Sequence, residues 1–187
     1  MYKVTKLVKI KDQKKKEKNI IERSPVPIFG SDFKVIIEYV NKEVTELNIR
    51  NKDIIISLSK RYKGLNNKKI LDVAINKLYE KVAVNEIENI MEKTRIMLGF
   101  APEEYSLEFM GKSLAKCQDL NIIINPQIIA FERNIIEYIV LHEFCHLKYK
   151  THSKGFYKML SNYMPNYKKF DNIINSLYKY WNIAVLK

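Results

Sequence analysis

The chain has 187 residues, of which 33 are Lys or Arg and 21 are Asp or Glu, so its formal net charge is +12. Hydrophobic residues make up 47% of the sequence, which excludes the weakly hydrophobic, highly charged class of disordered chains. This length predicts one domain, and two Cys residues are too few for a disulfide framework.

The positive charge comes almost entirely from lysine, since only five of the 33 basic residues are Arg. One interpretation is an electrostatic surface for nucleic acid or another polyanion, and the other is a solvated surface that keeps the protein soluble. We favour the solvated surface, because net charge alone indicates non-specific binding and does not define a site. Nucleic acid remains a possible partner at this stage.

Targeting signals are not recognisable in the sequence. Residues 1–20 carry scattered charges without an apolar core, and no apolar run approaches the roughly 18 residues of a membrane span. We therefore expect no signal peptide, no membrane association and a cytoplasmic protein.

The first third of the chain divides into a basic segment, residues 1–30, and a strand-rich region, residues 31–62. The basic segment contains a cluster of lysines and ends in a Ser-Pro-Val-Pro sequence that favours extended chain. In the strand-rich region, three β-prone segments (33–40, 44–49 and 54–58) are separated by Asn-rich and Asp-containing turns. This pattern predicts an antiparallel β meander. We expect residues 31–187 to form a single domain.

The second part of that domain, residues 67–187, begins with helical periodicity. Apolar residues recur at helical spacing up to Leu98, which predicts two helices or one bent helix ended by Gly99 and Pro102. Two strands are then predicted, Tyr105–Met110 and Leu120–Asn125, with a loop between them. Either strand is a candidate edge on which an extended peptide could pair through its main chain.

The most informative stretch runs from His142 to His152 and reads HEFCHLKYKTH. His142 and His146 lie four residues apart in a helical pattern, so their side chains are stacked on one helix face. Glu143 lies about 100° around the helix, where a carboxylate can reach water bound to a metal. These residues form the HExxH motif of zinc hydrolases, and all three His residues of the chain fall within this window.

This arrangement predicts one Zn²⁺ per chain, with His142, His146 and His152 as ligands and the fourth position open for water. Glu143 is then the general base. Asp171 in the last helix is the alternative third ligand. Tyr149 and Tyr157 are candidate donors to the transition state, on proximity in sequence alone.

The run from Ile135 to Tyr157 resembles the small bacterial YgjP-like and WLM-type metal-dependent hydrolases, which are relatives of SprT-like zinc peptidases. The residues that carry this resemblance are His142, Glu143, His146, His152, Ser153, Phe156 and Tyr157. It implies an α+β, zincin-like metallopeptidase domain with a short sheet and a HExxH active-site helix. It also implies that the three His residues bind zinc and that Glu143 is the base. The chain departs from the family where Met110-Gly111-Lys112-Ser113 replaces a W-G-S-C segment, and its Tyr149 stands where the similarly spaced metzincins have Gly, so we expect the helix to end near Lys150-Thr151.

The leading functional hypothesis is a zinc peptidase that acts on a peptide or protein. One alternative is a hydrolase of a small anionic molecule such as a nucleotide, because the same activated water could attack it. Another is a SprT-like protease that works on proteins bound to nucleic acid. Binding that weakens steeply with salt would distinguish the last.

Overall fold

A computed structural model describes residues 21–43, 46–65 and 68–184. Two features of the sequence analysis lie outside these ranges. They are the lysine cluster near the N-terminus and the start of the strand predicted from Val44. The described chain is an α+β fold, as predicted, with a four-stranded sheet, a long helix, a three-stranded sheet and three further helices. None of the helices in these ranges combines the length and the apolar character that crossing a membrane requires.

The first sheet is not a meander. Its strands are β1 (Ile21–Ile28), β2 (Ser31–Val40), β3 (Glu46–Arg50) and β4 (Asp53–Ser59), arranged in the order β1-β2-β4-β3. Strands β2 and β4 pair in parallel, whereas a meander requires β3 between them. Burial explains the difference: β4 is a nearly continuous apolar run that is buried on both faces and takes an inner position, while half-exposed β3 takes the edge.

Strand β1 also lies within the residues that the sequence analysis had set apart as a basic segment. It pairs antiparallel with β2 from Ile21 to Ile28, with an irregularity in register between Arg23 and Val26. The sheet therefore begins before residue 31.

Helix α1 (Lys68–Leu98) is a single helix of 31 residues. It ends where expected, because Gly99 adopts a φ of 74° and its N–H donates to the Arg95 carbonyl oxygen at 2.9 Å. Its buried side includes Ala74, Leu78, Ile87, Ile90, Met91 and Thr94. These residues come from both halves of the helix, so the whole stretch of apolar periodicity faces one core.

The second sheet contains a strand that the sequence analysis missed. Its strands are β5 (Tyr105–Leu107), β6 (Ala115–Gln118) and β7 (Asn121–Ile124), in the order β5-β7-β6. Strand β6 lies in the predicted loop and pairs antiparallel with β7 through a tight turn at Asp119, whose φ is 57°. The short, polar sequence of β6 has little β propensity of its own, so its structure depends on pairing with buried β7.

Helix α2 (Arg133–Lys148) follows a 3₁₀ segment, Pro126–Ala130, and is itself followed by α3 (Lys154–Tyr163) and α4 (Tyr167–Ala184). The turn between β1 and β2 contacts this region directly. Phe29 N–H and Gly30 N–H donate to the carbonyl oxygens of Ile129 and Ala130 at 2.8 and 3.1 Å. The Arg133 guanidinium, at the start of α2, lies over the Phe29 ring at 3.7 Å from its centroid. The first sheet is thereby fastened to the segment that starts α2.

We predict that Gly30→Ala lowers the free energy of unfolding more than Gly64→Ala does. Both glycines have a left-handed φ, +73° and +82°, so both substitutions should cost about 1–2 kcal/mol of backbone strain. Only at Gly30 would the new Cβ lie 2.6 Å from Glu132 Cγ, which should add about 1 kcal/mol or more. Chemical denaturation of both variants measures the difference, and equal losses would show that this turn does not pack against α2.

Candidate active site

The structure brings together the three His residues that the sequence analysis selected. His142 Nε2 lies 3.2 Å from His146 Nε2 and 3.0 Å from His152 Nε2. Helix α2 supplies His142 and His146 one turn apart, and the loop that follows brings His152 back to them. In the described part of the chain, these three residues form a group that could hold a metal ion.

The loop that carries His152 begins earlier than expected. Helix α2 ends at Lys148 and Tyr149 is already extended, so the predicted exit near Lys150-Thr151 is wrong by about two residues. Ser153 then caps α3, because its Oγ accepts a hydrogen bond from Phe156 N–H at 3.3 Å. This cap fixes the direction in which the chain leaves His152.

Phe156 forms the floor beneath the three imidazoles. Its ring is fully buried, and its centroid lies 4.9, 4.7 and 4.8 Å from the centroids of His142, His146 and His152. A rigid aromatic ring in this position limits how far each imidazole can rotate. Sequence reasoning identified Phe156 through the family resemblance and did not foresee this contact.

Hydrogen bonds and burial keep the imidazoles in a form suited to ligation. His146 Nδ1 lies 3.0 Å from the Tyr149 carbonyl oxygen, which can only accept, so Nδ1 carries the proton and Nε2 has a free lone pair. Burial, with a smaller contribution from His146 and His152, lowers the pKa of His142 to about 3. Burial also lowers the pKa of His146. Both rings are therefore neutral at pH 7, as metal ligands must be.

The spacing of the nitrogens fits a tetrahedral metal ion. Ligand bonds of ~2.0–2.1 Å at tetrahedral angles place neighbouring nitrogens about 3.3 Å apart. The two Nε2 separations of 3.2 and 3.0 Å are close to this value. Three imidazole nitrogens are also a donor set that suits zinc.

Glu143 lies beside this cluster and is almost completely buried. Burial raises the pKa of Glu143 to about 7, and a hydrogen bond to the backbone of Cys117 in β6 partly opposes the increase. The Cys117 N–H is the donor, because a carboxylate can only accept. The missed strand thus holds one of the residues that the sequence analysis had selected.

A cavity of about 350 Å³ opens beside Glu143, His142 and His152. The other lining residues come from the start of β6 and from α2, α3 and α4. They are Leu114, Ala115, Tyr138, Ile139, Tyr157, Asp171, Ile174 and Asn175. Tyr157 is therefore at the cavity, whereas Tyr149 is not among these lining residues and its ring packs against Gly155.

Two of the lining residues interact in a way that sequence reasoning missed. The Tyr138 hydroxyl donates to Asp171 Oδ1 at 3.1 Å and lies 3.4 Å from His142 Nδ1. Burial and the Asp171 carboxylate raise the pKa of Tyr138, so its hydroxyl keeps its proton. The signal in the sequence was the spacing, since Tyr138 precedes His142 by four residues. Asp171, the alternative third ligand, contacts Tyr138 and lies outside the metal-binding group of described residues.

Three imidazoles gathered at one point, with a buried carboxyl group beside them at an open cavity, are the arrangement of a metal-dependent hydrolase. A family model for the YgjP-like metallopeptidase domain matches residues 3–177. The chain therefore belongs to the YgjP-like metallopeptidase family, which confirms the resemblance seen in the sequence. Membership of a metallopeptidase family implies a bound metal and a peptide or protein substrate.

Two solved structures are similar to part of the chain. The metallopeptidase zymogen abylysin of Pyrococcus abyssi is 25% identical, with a TM-score of 0.44, over 49% of this chain and 94% of its own. The metallopeptidase zymogen jannalysin of Methanocaldococcus jannaschii is 24% identical, with a TM-score of 0.42, over 49% of this chain and 96% of its own. No curated protein matches the chain.

We predict that Glu143→Gln stabilises the metal-free protein at pH 8. The ordinary pKa of Glu is 4.5 and that of folded Glu143 is about 7, so the folded state holds this proton more tightly than the unfolded state does. The carboxylate therefore disfavours folding increasingly as the pH rises from 4.5 to 7, by about 3 kcal/mol above that range. The neutral amide avoids this cost and can still accept from Cys117 N–H.

Thermal or chemical unfolding at pH 5 and pH 8 measures this effect, which should be nearly absent at pH 5. Glu137→Gln is the control, since it removes a half-exposed carboxylate of the same helix that pairs with Lys93. A Glu143→Gln protein that is no more stable than the parent at pH 8 would contradict the buried charge.

Proposed function

We propose that this protein is a zinc-dependent peptidase in which His142, His146 and His152 bind one Zn²⁺ and Glu143 is the general base. The observation that carries the proposal is the convergence of three Nε2 atoms beside a buried carboxyl group at an open cavity. Zinc in such a site supplies a Lewis acid, which lowers the pKa of water towards 7 and polarises a carbonyl group.

Glu143 has the properties that a general base needs. In the metal-free protein burial raises the pKa of Glu143 to about 7, and a bound Zn²⁺ would lower it, so the side chain would be ionised and able to accept a proton at neutral pH. The Cys117 N–H holds the carboxylate, which supports one orientation of its accepting oxygens. In the proposed reaction Glu143 takes a proton from the attacking water and passes it to the leaving amine.

Strand β6 supports a peptide as the substrate. It is an edge strand, whereas β7 is central and cannot accept a further strand. The Leu114 carbonyl oxygen accepts from Asn125 N–H in the hairpin, so the alternating pattern turns the main-chain groups of Ala115 and Cys117 away from β7. Ala115 lies at the cavity and Cys117 contacts Glu143. Because the Cys117 N–H already donates to Glu143, an extended peptide would pair with this edge at Ala115, beside the base.

The charge of the cavity argues against a small anionic substrate. Its lining includes the carboxyl groups of Glu143 and Asp171, and no Lys or Arg side chain is among its described lining residues. The two carboxylates would offset the charge of a bound Zn²⁺, so the cavity as a whole would not attract a phosphate group. The surplus lysines of the sequence therefore do not serve a nucleotide at this position.

We predict that the purified protein binds about one Zn²⁺ and that His152→Ala weakens this binding by at least 1,000-fold, since one of three ligands is lost. His146→Ala should have a comparable effect. Elemental analysis followed by competition with a chelator measures the affinity. Asp171→Ala is the control and should retain far tighter binding than either His variant. Loss of zinc on Asp171→Ala with none on His152→Ala would show that Asp171 is the third ligand.

We also predict that Glu143→Gln retains the zinc but loses hydrolysis by at least 100-fold, because an amide cannot accept the proton. The measurement is cleavage of a mixed peptide pool, followed by mass spectrometry, for the parent and the variant at equal zinc content. Cleavage by both proteins at similar rates would refute the role of Glu143. Absence of cleavage by the zinc-loaded parent would refute the peptidase.

A further inference from the structure

The side chain of Tyr138 lies between a proposed ligand and a carboxylate from another helix. It sits one turn before His142 on α2, and only 3% of its surface is exposed. Its ring packs edge-on against His142, with 5.8 Å between the ring centroids. It also packs against Phe170 of α4, with 5.9 Å between the ring centroids. These contacts fix the position of the hydroxyl group.

The hydrogen bonds at this hydroxyl have a defined direction. Its single proton is donated to Asp171 Oδ1 at 3.1 Å. Its lone pairs are then available to His142 Nδ1, at 3.4 Å, which is the long end of the hydrogen-bond range. For this contact to be attractive, Nδ1 must carry the ring proton, which leaves the Nε2 lone pair free to face His146 and His152.

We propose that Tyr138 and Asp171 are positioning residues that hold His142 in the tautomer and orientation needed to bind the metal. The inference rests on the proposed metal-binding function and adds two residues to it. Asp171 acts through Tyr138 by accepting its hydroxyl proton. If Tyr138 instead donated that proton to His142 Nδ1, the ring would carry its own proton on Nε2 and could not bind the metal through Nε2.

His142 differs from His146 in what fixes its ring. The partner of His146 Nδ1 is the Tyr149 carbonyl oxygen of its own loop, which forms with the local chain. The partner of His142 Nδ1, Tyr138, is on α2 as well, but the acceptor of its proton, Asp171, lies near the start of α4 and requires α4 to be packed against α2. The hydrogen bonds from Asp171 through Tyr138 to His142 therefore link the packing of α4 against α2 to the orientation of the His142 ring.

The test compares Tyr138→Phe, Asp171→Ala and the double variant with the parent. The dissociation constant of zinc is measured by competition with a chelator, and the tautomer of His142 in the metal-free protein is measured by ¹⁵N NMR of the ring nitrogens. Tyr138→Phe should weaken zinc binding by about 10- to 100-fold, which is the usual effect of losing a hydrogen-bond partner of a metal-binding His. The His142 ring should then be present as a mixture of both tautomers. Asp171→Ala should weaken it by about 10-fold, and the double variant should bind no more weakly than Tyr138→Phe.

Tyr79→Phe is the matched control. Tyr79 is another buried tyrosine whose hydroxyl donates one hydrogen bond, to the Pro27 carbonyl oxygen at 3.0 Å, far from the three His residues. This variant should lose a similar amount of stability and bind zinc as the parent does. An equal loss of zinc affinity in Tyr79→Phe would mean that the effect of Tyr138→Phe is a general loss of structure, which would overturn the proposal.

The outcomes separate this inference from the proposed function. If the parent binds no zinc, the proposed function fails, and the His142 tautomer still shows whether Tyr138 controls the ring. If the parent binds zinc, and the dissociation constant of Tyr138→Phe is within about threefold of the parent's with an unchanged His142 tautomer, the positioning role of Tyr138 is overturned. The proposed metal site is then unaffected. A loss in Asp171→Ala as large as that in His152→Ala would overturn the positioning role of Asp171.

Discussion

The burial of α2 is the constraint on which the rest of the structure depends. Ile136, Val140, Phe144 and Cys145 are fully buried, so most of the surface of this helix contacts the core. The face with Tyr138, His142 and Glu143 lines the cavity. A helix held on so many sides cannot rotate without breaking the core, and the directions of its polar side chains are therefore fixed. The same burial makes the carboxyl group of Glu143 costly to ionise, and this cost is what places its pKa near neutrality.

Each proposed ligand is held by a different kind of neighbour. A backbone carbonyl fixes His146, a tyrosine hydroxyl lies behind His142, and the capped start of α3 directs the loop that carries His152. Phe156 contacts all three rings from below. A site built in this way is preorganised, since little side-chain freedom remains to be lost when a metal binds.

The features that the sequence predicted are those that depend on local geometry. Two His residues four apart on an apolar helix must share a face, and Gly99 must end a helix that has no further periodicity. The order of the strands could not be predicted this way, because pairing joins residues far apart in the chain. The Ile-rich sequence of β4 indicated a buried inner strand, but the turn residues between the strands were used instead and led to the prediction of a meander. Strand β6 was missed for the opposite reason, since Ala-Lys-Cys-Gln acquires its conformation from β7.

The placement of Asp171 shows the same limit within the site. Its sequence position, in the last helix, made it a plausible third ligand, and only the packing of α4 against α2 shows that it contacts Tyr138 instead. The lysine-rich composition was similarly uninformative about the cavity, which is lined by carboxyl groups. Net charge describes the surface of this protein as a whole, whereas the chemistry of the cavity depends on a few residues.

The hydrogen bonds from Phe29 and Gly30 to the segment before α2 bear on how the protein opens as well as on how it packs. They join the first sheet to the 3₁₀ segment, and Arg133 joins the same turn to α1 through its ion pair with Glu86 at 2.8 Å. From these contacts we propose that the first sheet and α2 open as one cooperative unit, so that their amide protons exchange with solvent through the same global opening. A fragment that began at α1 would leave Leu78 without Leu47 of β3, with which it lines a surface groove. On this proposal, dividing the chain at residue 66 would cut through a folding unit.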